Sequence, residues 1–266
     1  NIQPPVIDAG SPKTLTCSVA SIGLQGSVSS SGNHTYFWSS PNGGVIVSGA
    51  NTLTPSISAV GIYELLVTNT LNGCTSTDMV QVLADQNAPV ATLAQPDILT
   101  CIVKQVPISA AGSSTGNVTY NWTTSNGNFT NLGDPLQPVV DKPGVYTLLV
   151  TNLDNGCTVT ATATVSQDIV VPTANAGAVQ TLTCAITTLQ LNGTGSSQVG
   201  GPYYYEWTTP NGVILSGNNS LTPTVAAPGA YALLVQNTTN GCSATAQVQV
   251  QQNTQAPTAA VATAPL

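Results

Sequence analysis

Charge is what this chain has least of. Charged residues make up 5% of its 266 positions, against about 25% in typical soluble domains. The only cations besides His34 are Lys13, Lys104 and Lys142; there is no arginine. Without a basic patch, neither nucleic acid nor an anionic membrane surface is an expected partner. The net charge of −7 is spread thinly, with no acidic run to capture a metal or a basic partner. Such a surface gives salt little to screen and neighbouring molecules little to repel.

Long apolar runs are also missing. None approaches the roughly 18 residues of a membrane span, so membrane insertion is not expected. No initiator Met or signal peptide opens the sequence, which reads as a piece of something longer. No segment carries a convincing helical period. An enzyme needs convergent acid, base or nucleophile groups. Here Asp8, Glu64, Asp78, Asp97, Asp134, Asp141, Asp154 and Glu206 fall at non-equivalent places, and His34 reads as an exposed loop residue. Neither catalysis nor a cofactor is expected.

What is present is repetition. Cysteines fall at 17 and 74, 101 and 157, 184 and 242, with separations of 57, 56 and 58 inside pairs and 27 between them. Trp38, Trp122 and Trp207 follow the first cysteine of each pair by 21, 21 and 23; Tyr63, Tyr146 and Tyr231 precede the second by 11. Pro5, Pro89 and Pro172 precede the first by 12. A period of this length signals tandem units. The predicted division is 1–86, 87–169 and 170–254. Residues 255–266 form a linker and, because Pro257 continues the series, the start of a fourth unit.

Each unit reads as all-β. Short stretches rich in Val, Thr, Leu and Tyr are bounded by Gly, Asn and Pro. Val248 and Val250 alternate with Gln247, Gln249 and Gln251, the pattern of a strand with one buried face. Asn-Gly recurs at 42–43, 126–127 and 211–212, and again at 72–73, 155–156 and 240–241, where it supplies positive φ for tight hairpins. Turns every 8–12 residues argue for a sandwich. The expected fold is a rod-like tandem array of three Ig-like or PKD-like β-sandwich domains with one disulfide each. Trp38, Trp122, Trp207, Tyr63, Tyr146, Tyr231, Leu65, Leu148 and Leu233 are the expected core.

Equivalence by repeat suggests three bridges inside units: Cys17–Cys74, Cys101–Cys157 and Cys184–Cys242. Each would close a loop worth about 4 kcal/mol in the chain-entropy picture. They imply an oxidising, extracellular or cell-surface location. A metal reading is weak, with no C-x-x-C and no histidine beside any pair. Gly61, Gly144 and Gly229 precede the repeated tyrosines by two, as in the immunoglobulin tyrosine corner. Leucine holds the core-cysteine place, and the cysteine stands nine residues onward.

TLTC at 14–17 and 181–184, YEWTTPNGVILSG from Tyr205's strand onward, SLTPTV at 220–225, P-G-x-Y-x-L-x-V and N-G-C together resemble the PKD-like and Ig-like repeats of very large secreted proteins of Bacteroidota. The better-known PKD turn Gly-Asp-Gly is replaced by PNG or SNG. The resemblance implies an extracellular stalk, spacer, fibre or adhesive arm, often exported by the type IX route.

The leading functional reading is therefore a structural repeat segment of an extracellular fibre, stalk or surface appendage. Its expected partners are further repeats of the same chain or other copies. The alternative is an adhesin recognising glycans or another cell surface, for which Tyr203, Tyr204 and Tyr205 offer stacking rings. A third possibility is an accessory domain of an enzyme. Asp85 and Asp168 lie at the joints, where calcium could stiffen an array, although the third joint has no carboxylate. Leu66, Leu149 and Leu234, one residue past the core leucines, are placed to face outward as a stripe for lateral contact.

Overall fold

The computed structural model describes residues 3–256. The expected start of a fourth unit, from Pro257 onward, lies outside the described residues. No helix occurs among them, and none of the chain's elements is a helix long and apolar enough to cross a membrane. The chain forms three successive β-sandwich units.

In the first unit, Gly61–Asn69 and Thr75–Asp85 form a long antiparallel hairpin. His34–Ser39 adds antiparallel to one side of it, and Lys13–Thr16 adds parallel to the other. A second sheet joins Ile22–Gly23, Ser56–Ile57 and Ile46–Ser48. The third unit repeats this arrangement, with Gln180–Thr183, Ser243–Asn253, Gly229–Asn237 and Tyr203–Thr208 in one sheet. The middle unit differs slightly. Val118–Thr124, Gly144–Asn152 and Thr158–Val165 form three strands, while Leu99–Thr100 pairs separately, and in parallel, with Gln167–Asp168.

The long hairpins alternate as half-buried strands must. Tyr63, Leu65 and Val67 are fully buried, as are Tyr146, Leu148 and Val150, and Tyr231, Leu233 and Val235. Trp38 and Trp207 are buried with them, whereas Trp122 is half-buried, edge-on to Phe129. Each indole N–H is satisfied: Trp38 donates to Thr52 O (2.9 Å), Trp122 to Pro135 O (2.8 Å) and Trp207 to Ser220 O (2.9 Å).

The tyrosines show why the fold is immunoglobulin-like. Each hydroxyl donates four residues upstream: Tyr63 to Ala59 O (2.7 Å), Tyr146 to Lys142 O (2.6 Å), Tyr231 to Ala227 O (2.7 Å). Each also accepts from the opposite turn, at Val45, Asn128 and Val213 N–H. This is the tyrosine-corner geometry. It also corrects the reading of the first Asn-Gly series. Only Gly43 of that set has positive φ (80°). Gly44, Gly127 and Gly212 lie against the tyrosine ring, where an added Cβ would stand 2.3–2.6 Å from ring or hydroxyl atoms. Glycine serves there to let the ring pass. In the second series Gly73, Gly156 and Gly241 do carry positive φ, at 75°, 72° and 70°.

Replacing Tyr231 by Phe removes the hydroxyl and leaves the Val213 N–H without its partner. We expect the third unit to lose about 1–3 kcal/mol, read as faster amide exchange in Gly229–Asn237 with the first unit unchanged. Equal exchange in wild type and variant would refute the corner's structural role.

Candidate functional site: the junctions between units

The cysteines do not pair inside units. Cys17 is bonded to Cys157 and Cys101 to Cys242, with Cα atoms 4.9 and 5.0 Å apart. Cys74 and Cys184 stand outside both bridges. The expected pairs Cys17–Cys74, Cys101–Cys157 and Cys184–Cys242 are therefore incorrect, and the reason is strand geometry. The first cysteine of a unit follows a strand paired in parallel with the end of the last strand: Thr16 faces Asp85, Thr100 faces Asp168, Thr183 faces Asn253. The second cysteine precedes the start of that same last strand. Eleven residues of extended chain, roughly 36 Å, lie between the two positions. A disulfide needs Cα atoms no more than about 7 Å apart. Head-to-tail succession of units instead brings the exit end of one against the entry end of the next. The bridge thus does not pin one sandwich; it joins two.

A polar clasp accompanies each bridge. The Asn-Gly-Cys turn is held by its own backbone: Gly156 N–H donates to Asn152 O (2.8 Å) and Asn152 N–H to Cys157 O (2.8 Å). Asn155 Oδ1 accepts from Cys157 N–H (2.9 Å). Its Nδ2 then reaches across the junction to Asp85 Oδ1 (2.9 Å) and to Asn87 O of the linker (3.0 Å). Ser18 N–H donates back to Asn155 O (3.3 Å). The second junction repeats the pattern. Asn240 Nδ2 donates to Asp168 Oδ1 (2.9 Å) and Val170 O (3.1 Å), Asn240 Oδ1 accepts from Cys242 N–H (2.9 Å), and Cys101 N–H donates to Asn240 O (3.1 Å).

Asn155 and Asn240 are 2% and 1% exposed, and each side chain has donors and acceptor satisfied. A buried amide left unpaired would cost a few kcal/mol, so the clasp is specific for this turn. Close fit is enforced by glycine: a Cβ on Gly156 would strike Ser18, and one on Gly241 would strike Ile102.

Asp85 and Asp168 therefore act as acceptors for a neighbouring unit's asparagine. Among the described residues, no group of three or more His, Cys, Asp or Glu is placed to hold a metal. His34 is not a loop residue. It is the first residue of the strand His34–Ser39, half-buried, with Nε2 3.3 Å from Ser30 Oγ. Tyr203 and Tyr205 pack on the third core, and their hydroxyls donate to Val199 O and Ser197 O; Tyr204 points outward. Leu66, Leu149 and Leu234 lie on the outer face, half-buried, opposite Phe37, Asn121 and Glu206 on the adjacent strand.

The hydrogen bond from Asn155, with one from Asn87 N–H, holds the Asp85 carboxyl below its ordinary pKa. A depressed carboxylate pKa contributes stability that is present above the ordinary value and lost as pH falls through the lowered one. Asn155→Ala should therefore raise the Asp85 pKa toward its ordinary value in a carboxyl NMR titration. An unmoved titration would show that the clasp does not form in solution.

No protein-family model matches the chain, and no curated protein matches it. Solved structures do resemble it. An I-band fragment of titin aligns at 12% identity, covering 95% of this chain and 100% of that one, with a TM-score of 0.40. The three N-terminal domains of the bacteriophage RB49 highly immunogenic outer capsid protein align at 12% identity over 94% of this chain and 99% of theirs, with a TM-score of 0.35. The PKD domain from the KIAA 1837 protein aligns at 26% identity over 33% of this chain and 92% of its own, with a TM-score of 0.26.

Proposed function

We propose that this chain is a structural segment of an extracellular array, built to carry load along a series of units stapled to one another by disulfides. The observation that carries this reading is the pairing itself: each bridge crosses from one sandwich to the next. Persisting disulfides belong to oxidising compartments, which supports a location outside the cytoplasm. The surface is nearly uncharged, which supports tolerance of salt and close approach of neighbouring molecules.

The mechanical logic follows from where the bridges attach. Along the backbone, Cys17 to Asp168 is 151 residue steps; through the first bridge it is the eleven steps from Cys157 to Asp168. Those eleven form extended strand through most of their length. Extended chain spans at most about 3.3–3.6 Å per residue. This path is already near full length, so pulling on it finds little slack even if the other hydrogen bonds of the unit yield. Each bridge also closes a loop of 140 or 141 residues, which in the chain-entropy picture disfavours unfolding by about 5 kcal/mol.

A protease site introduced between Gln86 and Asn87 tests the pairing and the stapling together. Cut, denatured and left unreduced, the chain should run as one species, because Cys17 and Cys157 lie on opposite sides of the cut. Reduction should release two fragments. Separation before reduction would mean bridges within units, and the stapled array would be wrong.

A further inference from the structure

An Asn-Gly step can react with itself. The glycine nitrogen can attack the asparagine side-chain carbon, because glycine has no Cβ to crowd the five-membered ring that results. Seven Asn-Gly steps occur in this chain, at Asn42, Asn72, Asn126, Asn155, Asn192, Asn211 and Asn240. The fold treats one of them differently. We propose that Asn42 is a self-modification site: in the folded protein it converts in water to aspartate and isoaspartate, while the other six asparagines persist.

In those six, both reacting groups are engaged. Before the second cysteines, Gly73, Gly156 and Gly241 N–H donate to Asn69, Asn152 and Asn237 O (2.8 Å each). Asn72, Asn155 and Asn240 Oδ1 accept from Cys74, Cys157 and Cys242 N–H (2.9 Å each). Gly127 and Gly212 N–H donate to Thr124 and Thr209 Oγ1 (2.9 and 2.8 Å), while Asn126 and Asn211 Oδ1 accept from Val145 and Ala230 N–H (3.1 and 3.0 Å). Gly193 N–H donates to Leu221 O (2.7 Å), and Asn192 Oδ1 accepts from Thr194 N–H (3.0 Å). A donated N–H is harder to deprotonate. A side chain held by its oxygen cannot swing its carbon over the following nitrogen.

Asn42 escapes because the first unit's turn is one residue longer. Trp38 and Tyr63 are 25 positions apart, against 24 for Trp122 and Tyr146 and for Trp207 and Tyr231. Gly44 takes the place against the tyrosine ring, and it is Gly44 N–H that donates to Ser40 Oγ (2.8 Å). Ser40 follows its tryptophan by two, as Thr124 and Thr209 do, so the hydroxyl that holds Gly127 and Gly212 is here spent on the next residue. Gly43 is pushed outward: it is exposed, at φ 80°, with nothing within 4 Å of where a Cβ would stand. Among the described residues the exposed Asn42 side chain makes no hydrogen bond, so its amide can turn.

A base in solution takes the Gly43 amide proton, and the nitrogen attacks Asn42 Cγ. The new N–Cγ bond closes the ring; the Cγ–Nδ2 bond breaks, and Nδ2 takes up a proton and leaves as ammonia. Water then opens the ring. Breaking the N–Cγ bond restores the main chain and leaves aspartate. Breaking the original peptide bond reroutes the chain through Cγ as isoaspartate. One water enters and one ammonia leaves, with no oxidation. The product adds a negative charge to a net −7.

To test this, the folded 266-residue chain is incubated at mildly alkaline pH in heavy-oxygen water, digested in acid, and read by mass spectrometry with fragmentation that separates isoaspartate from aspartate. We expect label at position 42 as a mixture of both products, and at none of the other six until the chain is reduced and unfolded. Deletion of Gly43 still leaves Asn42 followed by glycine but restores the turn length of the other two units; label at Asn42 should then be lost. Asn42→Gln should lose it as well. Another Asn-Gly step reacting as fast as Asn42 in the folded chain, or no label at Asn42, would overturn the proposal. So would undiminished label at Asn42 in a folded deletion variant. The ranking of the seven sites in the unaltered chain decides the matter even if the deletion prevents folding.

Discussion

The length of one strand decides what this molecule can be. In the first and third units an eleven-residue last strand separates the two cysteines, and in the middle unit Thr158–Val165 with Gln167–Asp168 does the same, far beyond the reach of a disulfide. The thiols cannot satisfy one another locally, so any bond must be made with a neighbour. Succession of units supplies that neighbour, because the exit end of one sandwich carries the first type of cysteine and the entry end of the next carries the second. The covalent chemistry is thus set by topology, and the topology by the parallel pairing of first and last strands.

The polar contacts give that bond its register. A disulfide alone tolerates rotation about its own axis. The buried asparagines do not, because Asn155 and Asn240 each tie their own turn, the linker carbonyl and a carboxylate of the preceding unit. Removing any one leaves a buried polar group unpaired, which is costly in a way that losing an exposed contact is not. In a chain with 10 carboxylates and three lysines, it is telling that two of the carboxylates are committed to amide partners at joints. Ion pairing has almost no cations to draw on here, so amide-to-carboxylate hydrogen bonds do that work.

Much of the fold was legible. Alternation in the last strand, Asn-Gly turns and the spacing of Gly, Tyr and Leu pointed to sandwiches with a tyrosine corner, and Tyr63, Tyr146 and Tyr231 sit where that pattern puts them. The junction was not legible, for a definite reason. Period alone is blind to whether position 17 meets 74 or 157, since both belong to the same repeated class. The missing signal was one of direction: the eleven residues from Asn-Gly-Cys to the joint read as a single strand, and a strand that long sets its two ends apart. The carboxylates at the joints are visible in the sequence, but nothing in the spacing pairs Asp85 or Asp168 with the asparagine that precedes the second cysteine of the next unit. In the first set of Asn-Gly turns the dipeptide signals only backbone curvature; the tyrosine ring that fills the space above Gly127 and Gly212 is invisible without the packing.

Staggered pairing also changes what a single break can do. The first bridge spans residues 17–157 and the second 101–242, so the two loops overlap across 101–157. A cut anywhere between 18 and 241 falls within at least one closed loop, and the two halves stay covalently joined. Bridges confined to single units would leave every linker exposed to one cut. The stagger therefore protects the segments that sandwiches protect least, the joints, which have few core contacts of their own and run over the surface.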